Sequence, residues 1–147
     1  MGYEITQRGA VFGMQKENFE PCLQAIKALA DRVQFLASGG NSMGDRWYSW
    51  VNTEKFVSAK TLEEALEEWG WEIQLAEDGD AYFLQFVNEK LGDDEVLLNA
   101  IAPYVEDGSY IEIAGEDADW WRWVFKGGKM FEITPEITWP EPQEITE

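Results

Sequence analysis

Histidine is absent from the 147 residues, and cysteine occurs once, as Cys22. Without histidine, the chain cannot build a Ser-His-Asp triad, a Cys-His pair or a histidine-based metal site. A single thiol also excludes an internal disulfide and a thiolate metal site within one chain, and we interpret Cys22 as a small buried hydrophobe. The enzyme chemistries that these absences leave are carboxylate pairs, lysine or tyrosine catalysis, and metal sites made of oxygen ligands.

Long hydrophobic runs are also missing, because no apolar stretch approaches the ~20 residues that cross a bilayer. The first ten residues, MGYEITQRGA, lack the apolar core of a signal peptide. We therefore expect a cytoplasmic protein that has no membrane partner. The composition supplies a core nevertheless, since 45% of the residues are hydrophobic and 14% are aromatic, and the length suits one domain.

Basic residues are scarce in the second part of the chain. The 29 acids and 11 bases give a net charge of −18. Residues 1–60 hold 6 of the acids and 7 of the bases, which leaves 23 acids and 4 bases in residues 61–147. A surface with this excess of carboxylates repels nucleic acid and anionic membranes and attracts cationic partners.

The order of apolar periods and turn residues predicts an α+β fold: an antiparallel sheet with about three helices packed on one face. Residues 1–139 are expected to form one domain, and residues 140–147 an acidic, proline-containing, flexible tail. The predicted helices begin at caps formed by Asn18, Thr61 and Asp93. The predicted strands are 3–13 (broken near Gly9), 47–51, 71–76, 81–87 and a C-terminal three-stranded meander of 109–114, 120–126 and 129–134.

The helix after Thr61 has the clearest pattern. Thr61 and Glu64 match a capping box, and Gly70 is placed to end the helix. One face of this helix is apolar and consists of Leu62, Ala65, Leu66 and Trp69. The remaining surface carries only acids, namely Glu63, Glu64, Glu67 and Glu68. Like charges four residues apart cost a few tenths of a kcal/mol per pair, so an all-glutamate face indicates a role beyond solubility.

The predicted strand 120–126 alternates between two faces. Its core face is expected to comprise Trp121, Trp123 and Phe125, packed against Ile111, Ile113, Phe131 and Ile133. On its outer face we expect Trp120 and Arg122, with Arg122 paired to Glu112 and Glu132. If Trp120 is exposed beside the acids of the GEDAD turn (115–119), it suits the anchor of a protein interface.

The candidate partner-binding residues are acids that recur along residues 61–147, together with one tryptophan. They are Glu63, Glu64, Glu67, Glu68, Glu77, Asp78, Asp80, Asp93, Asp94, Glu116, Asp117, Asp119 and Trp120. Regularly spaced carboxylates imitate the phosphates of DNA, which carries one negative charge per ~1.7 Å of axis. In charge pattern alone, the chain resembles DNA-mimic inhibitors. The resemblance implies an antagonist, of the counter-defence or immunity type, that occupies the basic groove of a nucleic-acid-binding protein.

Other functions receive less support from the sequence. The oxygen-rich segments EDGD (77–80) and GEDAD do not match the spacing of a calcium loop. Two carboxylates would suffice for glycoside hydrolysis, but 29 acids make such a pair unavoidable by chance. We find neither a basic patch for direct nucleic-acid binding nor a phosphate-binding loop. The sequence thus predicts a non-enzymatic binding protein without metal or cofactor, whose partner is a basic protein. The alternative is a small-ligand or carbohydrate-binding module that uses tryptophans exposed on the sheet.

Overall fold

A computed structural model of the chain describes residues 2–146 and has the predicted α+β class. The strands in this range are β1 (Tyr3–Val11), β2 (Gly39–Gly40), β3 (Arg46–Trp47), β4 (Trp71–Leu75), β5 (Ala81–Phe86), β6 (Lys90–Leu91), β7 (Tyr110–Gly115), β8 (Trp120–Lys126) and β9 (Lys129–Ile133). The α-helices are α1 (Phe19–Lys27), α2 (Val33–Leu36), α3 (Thr53–Val57), α4 (Leu62–Glu68) and α5 (Asp94–Ile101). No helix of this range combines the length and hydropathy needed to span a bilayer.

The main sheet is antiparallel and curled, with the strand order β6-β1-β7-β8-β9. Its last three strands form the predicted C-terminal meander. The break expected near Gly9 is a register shift between Gln7 and Gly9, where β1 pairs with β7. The Gln7 side chain turns to the β4–β5 hairpin, donating to the Leu84 carbonyl at 3.0 Å and accepting the Phe86 N–H at 2.6 Å. One amide side chain therefore links the hairpin to the main sheet.

The core lies between one face of the sheet, called here the inner face, and the helices. The three helices of at least seven residues (α1, α4 and α5) all contribute buried side chains to one cluster with β7 and β8. The large rings Trp69, Trp71 and Trp123 are fully buried in it. Because each ring removes a large apolar area from water, few residues suffice for a core of this size.

Helix α4 follows the sequence prediction closely. The Thr61 hydroxyl accepts the Glu64 N–H at 3.2 Å, which is the predicted cap. The Glu64 carboxylate accepts the Lys60 N–H at 2.8 Å, so it also satisfies a backbone donor before the helix. Gly70 adopts a φ of +85°, a conformation that glycine tolerates best, and the helix ends there. The predicted apolar face is buried from Leu62 to Trp69.

The prediction of which side chains lie on each face of the meander is confirmed in part. Trp123 and Phe125 are buried with Ile111 and Ile113, as predicted, and Trp121 is half-buried. Phe131 and Ile133 were placed wrongly, because they pair with Val124 and Arg122 and are exposed on the opposite face, called here the outer face. Glu132 pairs with Trp123 and so does not join Arg122. The reason is the two-residue Gly127–Gly128 turn, which pairs Lys126 with Lys129 and fixes every later register position.

The region before α4 differs most from the prediction. Residues 47–51 do not form a strand: only Arg46–Trp47 pairs, and it pairs with Gly39–Gly40. The Tyr48 ring is buried against Phe56 and Trp69, and its hydroxyl donates to the Leu29 carbonyl at 2.6 Å. The short helix α3 was not predicted, although Asn52 caps it.

The helix predicted after Asn18 is also interrupted. It consists of α1, a 3₁₀ segment (Ala28–Arg32) and α2. Asn18 makes no capping hydrogen bond, and its amide instead donates to the Tyr104 carbonyl at 3.4 Å. A tertiary contact has therefore replaced the local one.

Candidate interaction surfaces

The first group of predicted site residues is the glutamate face of α4. Glu63, Glu64 and Glu67 are exposed, and Glu68 is half-buried. Among residues 2–146 a single salt bridge is present, between Arg122 and Glu112, so no cation of that range pairs with the α4 face. Unpaired carboxylates on a rigid helix keep their charge available to a partner.

The second group is the turn between β4 and β5. Glu77 and Asp78 are exposed, whereas Asp80 is half-buried and accepts the Lys16 N–H at 2.9 Å. The Lys16 ammonium group donates to the Asp78 carbonyl at 2.9 Å. Part of this acidity therefore fixes the turn to the segment before α1.

The third group is the turn between β7 and β8, which contains Glu116, Asp117 and Asp119. All three are exposed. The hydroxyl of Tyr3 donates to the Asp119 carboxylate at 2.5 Å and accepts the Asp117 N–H at 3.3 Å. The hydrogen bond to Asp119 raises the pKa of Tyr3 above its usual range. Glu4 adds a fourth carboxylate nearby: its carbonyl accepts the Glu116 N–H at 3.0 Å, and its N–H donates to the Glu116 carboxylate at 3.3 Å.

Asp93 and Asp94 do not lie on the predicted acidic surface, because they are only 9% and 4% exposed. The Asp93 carboxylate accepts the N–H groups of Ser49 at 2.8 Å and Ser38 at 3.2 Å. The Asp94 carboxylate accepts the Trp71 indole N–H and the Gly92 N–H, each at 2.9 Å. Burial raises the pKa of Asp94, while these two hydrogen bonds oppose the shift. Both carboxylates therefore stabilise the fold, and the prediction that they lie on an interaction surface was wrong. The predicted cap is also wrong, because the Asp93 side chain makes no capping hydrogen bond to α5.

Trp120 is 43% exposed on the outer face of the sheet. It lies beside the acidic turn, but its ring contacts a cation: the Arg8 guanidinium is 5.5 Å from the ring centroid. Trp120 also lines a cavity of about 360 Å³ together with Trp121, Ile133 and Pro135. The indole N–H of Trp121 is buried and has no hydrogen-bond partner among the described residues. Trp120 therefore has aromatic and basic neighbours on the sheet and also lies next to the acidic turn 115–119.

The predicted partner-binding residues therefore lie in separate groups: the α4 face, the two acidic turns and Trp120. No hydrogen bond between described residues joins the α4 glutamates to either acidic turn, and Trp120 lies on the outer face of the sheet. No three acidic or thiol side chains among residues 2–146 are arranged to hold a metal ion. Among the predicted partner-binding acids, those available at the surface are the ones of α4 and of the two turns.

Sequence reasoning missed two groups that organise the acidic surface. Tyr3 and Glu4 support the 115–119 turn, but their distance along the chain gives no local signal of this contact. The second group is Glu95 with Glu132. Partial desolvation raises the pKa of Glu132, although its side chain is largely exposed, and the adjacent Glu95 carboxylate raises it further. Glu95 also accepts the Trp123 indole N–H at 3.0 Å.

Comparison of the chain with models of protein families, with curated proteins and with solved structures gives no match.

Proposed function

We propose that the protein is a non-enzymatic binding protein whose exposed carboxylates engage a strongly basic partner protein. In the most specific form of the proposal, it is an antagonist that occupies a groove in which the partner binds nucleic acid. The acids of α4 and of the two turns supply the contacts. Asp93 and Asp94 are left out because they are buried.

The observation that carries the proposal is the α4 face. Three exposed glutamates and a half-buried fourth lie on a helix that is capped at both ends and buried along its other side. Holding like charges together in this way is mildly unfavourable for the helix itself. A basic groove would convert this cost into favourable electrostatic interaction and would accelerate association.

The test is competition for duplex DNA. Nucleic-acid-binding proteins from a lysate of the source organism are loaded on immobilised duplex DNA, and the proteins released by added chain are measured. After subtraction of the release caused by salt alone, we expect chain-dependent release at low salt and much less of it at high salt, because exposed charges are screened. The variant E63K/E67K/E68K should lose this activity. Glu64 is retained because its carboxylate accepts the Lys60 N–H.

The matched control is E17K/D31K/E54K. These three acids are exposed in the part of the chain that carries little net charge. Both triple variants have the same total charge, so a general charge effect would reduce both activities equally. The proposal requires that only the α4 variant fails. Release that is insensitive to salt, or equal loss in the two variants, would contradict it.

A further inference from the structure

The outer face of the main sheet is apolar and uncovered, whereas its inner face is buried by helices. Alternation along the strands places on it six apolar or aromatic side chains that are exposed or half-buried: Val11, Tyr110, Trp120, Val124, Phe131 and Ile133. None of the helices described packs on this side. An apolar patch of this kind on one sheet face is typical of a protein–protein contact.

The same face is basic, although the chain as a whole is strongly acidic. Along β1, β7, β8 and β9, its cations exceed its carboxylates by two. The cations are Arg8, Arg122, Lys126 and Lys129, and the carboxylates are Glu4 and Glu112. Arg122 bonds to Glu112 at 2.8 Å and stacks on Tyr110 with its guanidinium carbon 4.2 Å from the ring centroid. The acidity of this protein is therefore unevenly distributed, and the outer face suits an acidic, apolar occupant.

The chain itself contains a segment with that chemistry. Residues 131–139, FEITPEITW, alternate strictly between apolar and polar, which is the period of a strand with one buried face. In the structure, β9 ends at Ile133, and no strand or helix follows in residues 134–146. Ile137 and Trp139 are 83% and 89% exposed. In a single copy, the segment therefore has the sequence pattern of a half-buried strand, but nothing covers its apolar side chains Ile137 and Trp139.

We propose that two copies of this chain associate by exchanging the segment 134–146, so that the part beyond Pro135 of each copy lies across the outer face of the other. The segment carries three glutamates and no cation, which complements the basic face. Its three prolines, Pro135, Pro140 and Pro142, restrict it to extended conformations and so reduce the entropy lost on docking. In a two-fold dimer both exchanges form at once. The proposal does not depend on the proposed function, because α4 takes no part in it.

A second copy fits better than the segment's own chain. In the single chain, Thr134 and Pro135 still line the outer-face cavity, but Ile137 and Trp139 beyond them are exposed, so this later part of the segment does not pack on its own outer face. We assign Trp139 of the segment to the cavity of about 360 Å³ that Trp120, Trp121 and Ile133 line on the partner copy, next to that copy's own Pro135. Tryptophan in such a pocket is a frequent source of binding energy in interfaces.

The test is sedimentation velocity on the full chain from about 1 to 100 µM, which brackets a dimer of moderate affinity. We expect the mass to rise from 16.9 kDa to twice that value as the concentration increases. The variant I137A/W139A should weaken association by at least about thirtyfold, as expected for loss of a tryptophan anchor. F131T/I133T should also weaken association, because it changes the outer face that receives the segment. The residues of the first variant are almost fully exposed in one copy, so its unfolding midpoint should equal that of the wild type at concentrations where both are monomeric.

The matched control is F35A/M43A, which removes two exposed apolar side chains remote from the outer face and should leave the dimer intact. A wild-type chain that stays monomeric throughout overturns the proposal, as does a dimer that survives I137A/W139A. The proposal is also overturned if the wild type is monomeric and I137A/W139A makes the β9 amides exchange faster. That result would show that the segment folds back on its own chain. The variant E63K/E67K/E68K should dimerise normally, which separates this result from the proposed function.

Discussion

The starts of α4 and α5 carry similar acids in opposite environments. Glu63 and Glu64 lie in solvent on α4, whereas Asp93 and Asp94 are buried at α5. At α5 the two carboxylates accept hydrogen bonds from three distant parts of the chain, and they hold the helix against β4 and the 38–49 loop. The number of acids in the sequence therefore overstates the acidic surface available to a partner, because some carboxylates accept hydrogen bonds in the interior.

The largest effect is expected from removing a buried carboxylate. Asp94→Ala would leave the indole N–H of Trp71 and the backbone N–H of Gly92 without acceptors. Because buried donors that lose a charged partner are costly, we expect a loss of about 3 kcal/mol in the free energy of unfolding. Urea unfolding measures it. Asp94→Asn retains one acceptor oxygen and should cost less. A loss below about 0.5 kcal/mol for the alanine variant would mean that Asp94 does not differ from the surface acids.

A smaller effect is expected from pH. Burial raises the folded-state pKa of Asp94 above its ordinary value of 3.8, so the ionised form is disfavoured in the folded protein. The stability that protonated Asp94 contributes is therefore complete below the pKa of this carboxyl in the unfolded chain. It is lost as the pH rises through the pKa in the folded protein. The unfolding free energy should increase when the pH is lowered from neutral toward that range. Asp94→Asn should show a shallower dependence, and an identical slope in the two proteins would refute this explanation.

The smallest effect is expected at the surface of α4. The double variant E63Q/E67Q removes one pair of like charges four residues apart and should stabilise the protein by about 0.3 kcal/mol at low salt. The gain should vanish at high salt, because it is electrostatic. Chemical unfolding at the two ionic strengths measures this. Destabilisation by more than about 1 kcal/mol would show that these glutamates also support the fold, and the contrast with α5 would fail.

The sequence predicted elements whose signals are local. The α4 helix was readable from Thr61, Glu64 and Gly70, and the β4–β5 hairpin from its alternation and its Asp-Gly turn. The strand predicted at 47–51 was wrong because Tyr48 is buried by the ring of Phe56 in α3 and that of Trp69 just after α4, so its neighbours do not alternate across a sheet. The faces of β9 could have been predicted, since a two-residue Gly-Gly turn sets the register.

The candidate site was predicted less completely than the fold. The acids of α4 except the half-buried Glu68 and those of the 115–119 turn are exposed as expected, and Trp120 is exposed beside that turn. The burial of Asp93 and Asp94 was not predictable, because their hydrogen-bond partners Ser38, Ser49 and Trp71 are far away along the chain. Only the folded chain brings those donors to the carboxylates.

The sequence by itself determined the α+β class, the meander and the concentration of acids in residues 61–147, because hydrophobic period, turn residues and charge are properties of neighbouring positions. The tertiary structure decided which carboxylates stay in solvent and that Tyr3 supports the acidic turn. It also decided that Arg8 and Arg122 share an uncovered apolar face with Trp120. The physical reason is that burial and charge pairing depend on groups that folding brings together from distant positions, and a linear pattern does not contain those distances.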